Sequence, residues 1–194
     1  MTAAPSAVTL PLVRLVICPS GTVAPWPTVR PIPSRLVSLS MRSVPSWTFR
    51  LLKELGADHA LVAVSHECLA GILVQQGKPR DAMAHLEVAE LIRSKPGSDP
   101  AGLRFPYRWM GLAQSGMGDG RKAVSYLERA LKLAPDDPVF AADVRFDLAR
   151  VTRGTRGELQ RAREYAVKAR DEYRSIGIEH DAARVDQWLA ANGG

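Results

Sequence analysis

The sequence predicts an all-α chain built as a stack of helical hairpins, and three observations carry that prediction. The first is the stretch from Gly111 to Pro135, which reads as an apolar helix, a glycine-rich turn and a second helix stopped by a residue that has no N–H. In that second helix Ala123, Leu127, Ala130, Leu131 and Ala134 recur at steps of three and four, so they share one face, while Ser125, Glu128, Arg129 and Lys132 take the other. The second observation is repetition. Ala82, Leu86 and Ala89 reproduce the pattern 41 positions upstream, and Ala162, Ala166 and Ala169 reproduce it 39 positions downstream. The third is physical: one hairpin cannot bury its apolar face alone, so repeated hairpins bury theirs against each other.

Taken in order, residues 1–46 stand apart from the rest. Eight prolines punctuate Ser, Thr and Val there with neither helical nor alternating period, a composition that predicts an unstructured extension. Arg14 and Pro11 interrupt its apolar run and no basic residue precedes it, which argues against a secretory signal; Ile17 before Cys18 argues against a lipoprotein box. Met41 is an alternative start. Residues 47–56 carry Trp47, Phe49, Leu51, Leu52 and Leu55 behind a Ser46 cap, the pattern of the second helix of a half unit. Full units follow at 58–94, 101–135 and 137–176, with turns at Gly77-Lys-Pro79, at Gly116 to Gly120 around the acidic cap Asp119, and at Arg153 to Gly157. Residues 178–194 close the chain with a helix whose Ala182, Val185, Trp188 and Leu189 face the last unit, the cap that a repeat stack needs.

The small residues, the glycine turns and the proline after the second helix resemble the tetratricopeptide repeat (TPR), in the longer-period form of kinesin light chains and bacterial signalling proteins. Gly56-Ala-Asp58-His59-Ala-Leu-Val-Ala is similar to the lead-in of that form, with Ala60 where proline is usual. The resemblance covers roughly residues 50–176. It implies a right-handed superhelical stack whose first helices line a concave groove for a protein or peptide. Glu67, Arg108, Trp109, Leu112, Arg150 and Arg153 are the lining residues it implies here. The asparagines that clamp a peptide backbone in that family are absent, replaced by Cys68, Trp109 and Asp147.

Composition narrows the function further. The net charge is +6, but five of those charges are arginines in the first 50 residues, which hold no acidic residue, so the repeats themselves give no nucleic-acid signal. No run approaches the ~18 uninterrupted apolar residues of a membrane span. Two cysteines in unlike contexts suggest no disulfide framework and a reducing, cytoplasmic setting, with Cys68 as a small hydrophobe in its helix. His59, His66, His85 and His180 have no metal-ligand spacing, and the Gly116–Lys122 segment lacks the strand and the Ser/Thr of a phosphate loop. Neither a catalytic residue nor a cofactor is expected, and the chain reads as no enzyme. Arg150, Arg153, Arg156, Arg161, Arg163, Lys168, Arg170 and Arg174 make the third unit basic, but interleaved Glu158, Glu164, Asp171 and Glu172 predict a solvated face of weak ion pairs. The expected role is a protein-interaction scaffold or adaptor. Two alternatives are a regulatory or sensor tail detached from a bacterial Ser/Thr kinase, and a nucleic-acid-binding regulator that uses the basic N-terminal arm.

Overall fold

The computed structural model describes residues 59–154 and 158–192. The extension 1–46, the expected half unit 47–56 and turn positions 155–157 fall outside those residues. Seven α-helices and no strand occur among the described residues. They are α1 Ala60–Gln75, α2 Pro79–Arg93, α3 Arg104–Gly116, α4 Gly120–Lys132, α5 Pro138–Arg153, α6 Leu159–Ser175 and α7 Glu179–Ala191, with a short 3-10 turn, Pro100–Leu103, leading into α3.

Side chains just ahead of the helices fix several starts. The Nδ1 atom of His59 accepts from the Leu61 N–H at 3.2 Å, Asp119 from Lys122 at 3.1 Å and Asp137 from Phe140 at 3.0 Å. Each satisfies an amide that the first helical turn leaves without a partner. Pro79 and Pro138 open α2 and α5, where a missing N–H costs nothing.

One turn geometry recurs three times. Gly77, Gly118 and Gly177 adopt φ of 71°, 85° and 76°, the left-handed region that a side chain disfavours. The residue after each donates back to the carbonyl five positions earlier: Lys78 to Leu73 at 2.9 Å, Asp119 to Gln114 at 3.0 Å and Ile178 to Tyr173 at 2.8 Å. This is the Schellman closure, which satisfies helix-end carbonyls in three residues. Gly118 alone supplies left-handed backbone in the central turn; Gly116 and Gly120 belong to the flanking helices.

Short turns make neighbours of α1 and α2, of α3 and α4, and of α5 and α6; the joints between hairpins are α2 against α3 and α4 against α5, with α1 also meeting α3 and α3 meeting α5. Ala82, Leu86, Ala89, Ala123, Leu127, Ala130, Ala162, Ala166 and Ala169 are all fully buried, as the periodicity predicts. A Cβ on Gly111 would lie 2.7 Å from Leu127 Cγ and 3.0 Å from the Ala123 carbonyl oxygen, so glycine is what lets α3 and α4 approach this closely. One apolar cluster runs from Ala70 in α1 to Val151 in α5; a second joins Phe146, Tyr173, Ala182 and Val185 across α5, α6 and α7. The Phe146 and Trp188 rings meet edge to face at 6.1 Å, which seats the last helix on the third hairpin. Cys68 is half-buried in α1 and is not a free thiol, which corrects its reading as an isolated small hydrophobe.

Candidate protein-interaction face

The first helices α1, α3 and α5 carry the six residues singled out from sequence, and their side chains fall into three groups. Glu67 on α1 is buried and takes a two-pronged contact from Arg93 of α2, one limb of which is Nη2 to Oε2 at 3.0 Å. Burial pushes its carboxyl up and the Arg93 guanidinium opposes that shift. The carboxylate is committed within its own hairpin.

Arg108 on α3 bridges to the third hairpin. Its Nε donates to Asp147 Oδ2 and its Nη1 to Asp143 Oδ2, both at 2.7 Å. Asp143 and Asp147 are four residues apart on α5 and so share a face, which lets one guanidinium fork engage both. Burial alone would weaken the charge on Arg108, but Asp147 and then Asp143 outweigh it and hold the group more firmly protonated than usual. Tyr173 of α6 donates its hydroxyl to the other Asp143 oxygen; burial and then Asp143 push that hydroxyl well up, so it stays a donor. Sequence reasoning did not find this network. The spacing of Asp143 and Asp147 was the available signal, but their partner lies 35 and 39 positions away, where only the repeat register brings it near.

Trp109, Leu112, Arg150 and Arg153 remain. Trp109 is half-buried with its ring laid on Gly71 of α1, where an added Cβ would come within 2.8 Å of Cζ2. Leu112 is half-buried. Arg150 is exposed, with Nη1 3.8 Å from Asp147 Oδ1, and Arg153 is exposed at the last position of α5. The structure thus brings Arg108, Asp147 and Arg150 together and ties Glu67 to α2.

Several arginines of the basic third unit are paired. Arg161 reaches Glu128 of α4 at 2.8 Å, Arg170 contacts Asp171 at 2.8 Å, and Arg174 meets Asp186 of α7 at 2.5 Å. In repeat register, Arg93, Ala134 and Tyr173 occupy one place at the end of the second helices, 41 and 39 positions apart like the core alanines. Arg93 and Tyr173 each reach from there to a carboxylate on the first helix of their own hairpin; Ala134 is simply buried.

Hairpins joined by short glycine turns, stacked through their second-helix alanines and ended by a single packed helix, define an all-α helical repeat protein of the TPR-like kind. Neither the known protein families nor the curated proteins contain a match to the sequence. Among solved structures the chain is similar to BtubC (BKLC) from P. vanneervenii, at 21% identity and a TM-score of 0.63, over 82% of this chain and 65% of that one. The chain therefore spans just under two-thirds of that protein's length. At this identity the likeness concerns the fold. No helix among the described residues is long and apolar enough to cross a membrane.

Proposed function

We propose that the chain is a non-catalytic, cytoplasmic protein-interaction scaffold that receives a protein or peptide segment along α1, α3 and α5. The observation that carries the reading is the division of labour among its arginines. Arg93, Arg108 and Arg161 are held by carboxylates inside and between hairpins, whereas Arg150 and Arg153 stand exposed on the same first-helix series as Trp109 and Leu112. Arginine and tryptophan are among the residue types that most often anchor protein interfaces. The likeness to a TPR-like protein supports the same role by analogy of fold.

The test is capture of partners on the full 194-residue chain, followed by identification of what binds and titration of the captured protein. Replacing Arg150 and Arg153 together by Glu reverses two exposed charges and should weaken binding by roughly tenfold or more, with the helical circular dichroism signal unchanged. Undiminished binding in that variant would move the interaction to another face.

A further inference from the structure

His66 on α1 and His85 on α2 face each other across the first hairpin, with their Nδ1 atoms 3.0 Å apart and their ring centroids 5.2 Å apart at a 35° tilt. This contact requires one ring to donate through Nδ1–H and the other to accept through a bare Nδ1. In repeat register, 41 positions on, the second hairpin holds Tyr107 and Tyr126, with centroids 6.1 Å apart at 41°. The same cross-hairpin ring contact is therefore made in one unit by phenols that do not titrate near neutrality and in its neighbour by imidazoles that do.

We propose that the His66–His85 pair is an acid-sensitive latch: when both rings are protonated their Nδ1–H groups oppose each other, and α1 separates from α2 while the third hairpin stays closed. The charged groups around the pair offset that opposition only in part. Asp81, one turn before His85 on α2, favours a charged His85. Glu67, beside His66, is committed to Arg93; Glu90 of α2 sits by Tyr107; and from α3, Arg104 is held by Asp137 and Arg108 by Asp143 and Asp147. Arg80 and Glu87 of α2 are exposed to solvent.

Burial holds both rings below their ordinary value of 6.5; the His85 charge lowers His66 further, and Asp81 offsets part of the shift at His85. The unfolded hairpin then binds protons more readily than the folded one. The stabilisation is fully present above pH 6.5 and drains away as the pH falls below it through the folded values.

Amide hydrogen exchange on the full chain, corrected for intrinsic rates, tests the latch at about pH 7.5 and about pH 5.5. Protection in α1 and α2 should fall by roughly tenfold or more between the two, with α5 and α6 unchanged. The double variant His66→Tyr with His85→Tyr installs the ring pair of the second hairpin and should lose the fall, whereas His59→Ser replaces the cap of α1 without touching the pair and should retain it. A fall that persists in the double variant, one that vanishes in His59→Ser, or no fall in the native chain would overturn the proposal. Ring titration of the native chain gives an independent reading: both imidazoles should titrate below 6.5 in step with the loss of protection, and titration at or above that value would also overturn it.

Discussion

The two joints between hairpins share one apolar cluster and differ in what is added to it. Between the first and second, α1 and α3 meet where the Trp109 ring lies on Gly71. Between the second and third, α3 and α5 are linked by Arg108 to Asp143 and Asp147, and Arg104 reaches Asp137 at 3.3 Å. On the other side of that joint, α4 and α6 are linked by Arg161 and Tyr165 to Glu128, at 2.8 and 3.2 Å. An apolar joint gains stability from area removed from water and is indifferent to salt. A partly buried ionic joint spends most of its Coulombic gain on desolvation, but its angles and distances admit one arrangement. Both joints are held by burial, and the second adds a fixed ionic geometry.

Cutting one side of the ionic joint should have the largest effect. Arg108→Ala leaves Asp147, 5% exposed, with only the exposed Arg150 at 3.8 Å and Asp143 with only the Tyr173 hydroxyl, and urea melts should show a loss of roughly 3–5 kcal/mol. A loss below about 1 kcal/mol would mean that water solvates the two carboxylates and that the joint is not ionic in effect. Gly71→Ala probes the apolar joint. Its Cβ would press to 2.8 Å against the Trp109 ring, a cost of about 1–3 kcal/mol that outweighs the gain of up to about 1 kcal/mol in helix propensity. The net loss should be the same in low and high salt; a salt-dependent loss would blur the contrast between the joints. The smallest effect belongs to Glu128→Gln, because both members of the Arg161 pair are substantially exposed, at 45% and 39%. A change within about 0.5 kcal/mol is expected, shrinking further as salt is added.

The core of these hairpins could be read from the sequence because it obeys a local rule. Ala123, Leu127 and Ala130 lie on one face through spacing alone, and the offsets of 41 and 39 then carried the assignment to Ala82 and Ala162. The turns were legible for the same reason, since Gly77 and Gly118 each follow a periodic segment directly. The ionic joint was not, because each contact joins side chains more than 30 positions apart and depends on how one hairpin is rotated against the next. His66 and His85 were each visible as lone histidines. Their pairing follows only when the register is extended from the alanines to every position and sets them against Tyr107 and Tyr126. Glu67 and Arg108 were taken for groove residues on the strength of their helix, and the structure adds the internal partners that sequence could not supply.

The place shared by Arg93, Ala134 and Tyr173, near the ends of the second helices, also bears on how the array assembles. Chains of similar units risk pairing in the wrong order, a common failure of repeat proteins. Here the three occupants of that place, Arg93, Ala134 and Tyr173, are not interchangeable. The first answers Glu67 and the third answers Asp143, while the middle one is too small to answer either. If α4 folded against α1 in place of α2, Glu67 would lose Arg93 as its donor, at the several kcal/mol that an unpaired buried carboxylate costs. The first and third hairpins are in this sense keyed: each first helix carries a carboxylate that its own second helix answers, and the order of units is written in those pairs rather than in the alanines they share.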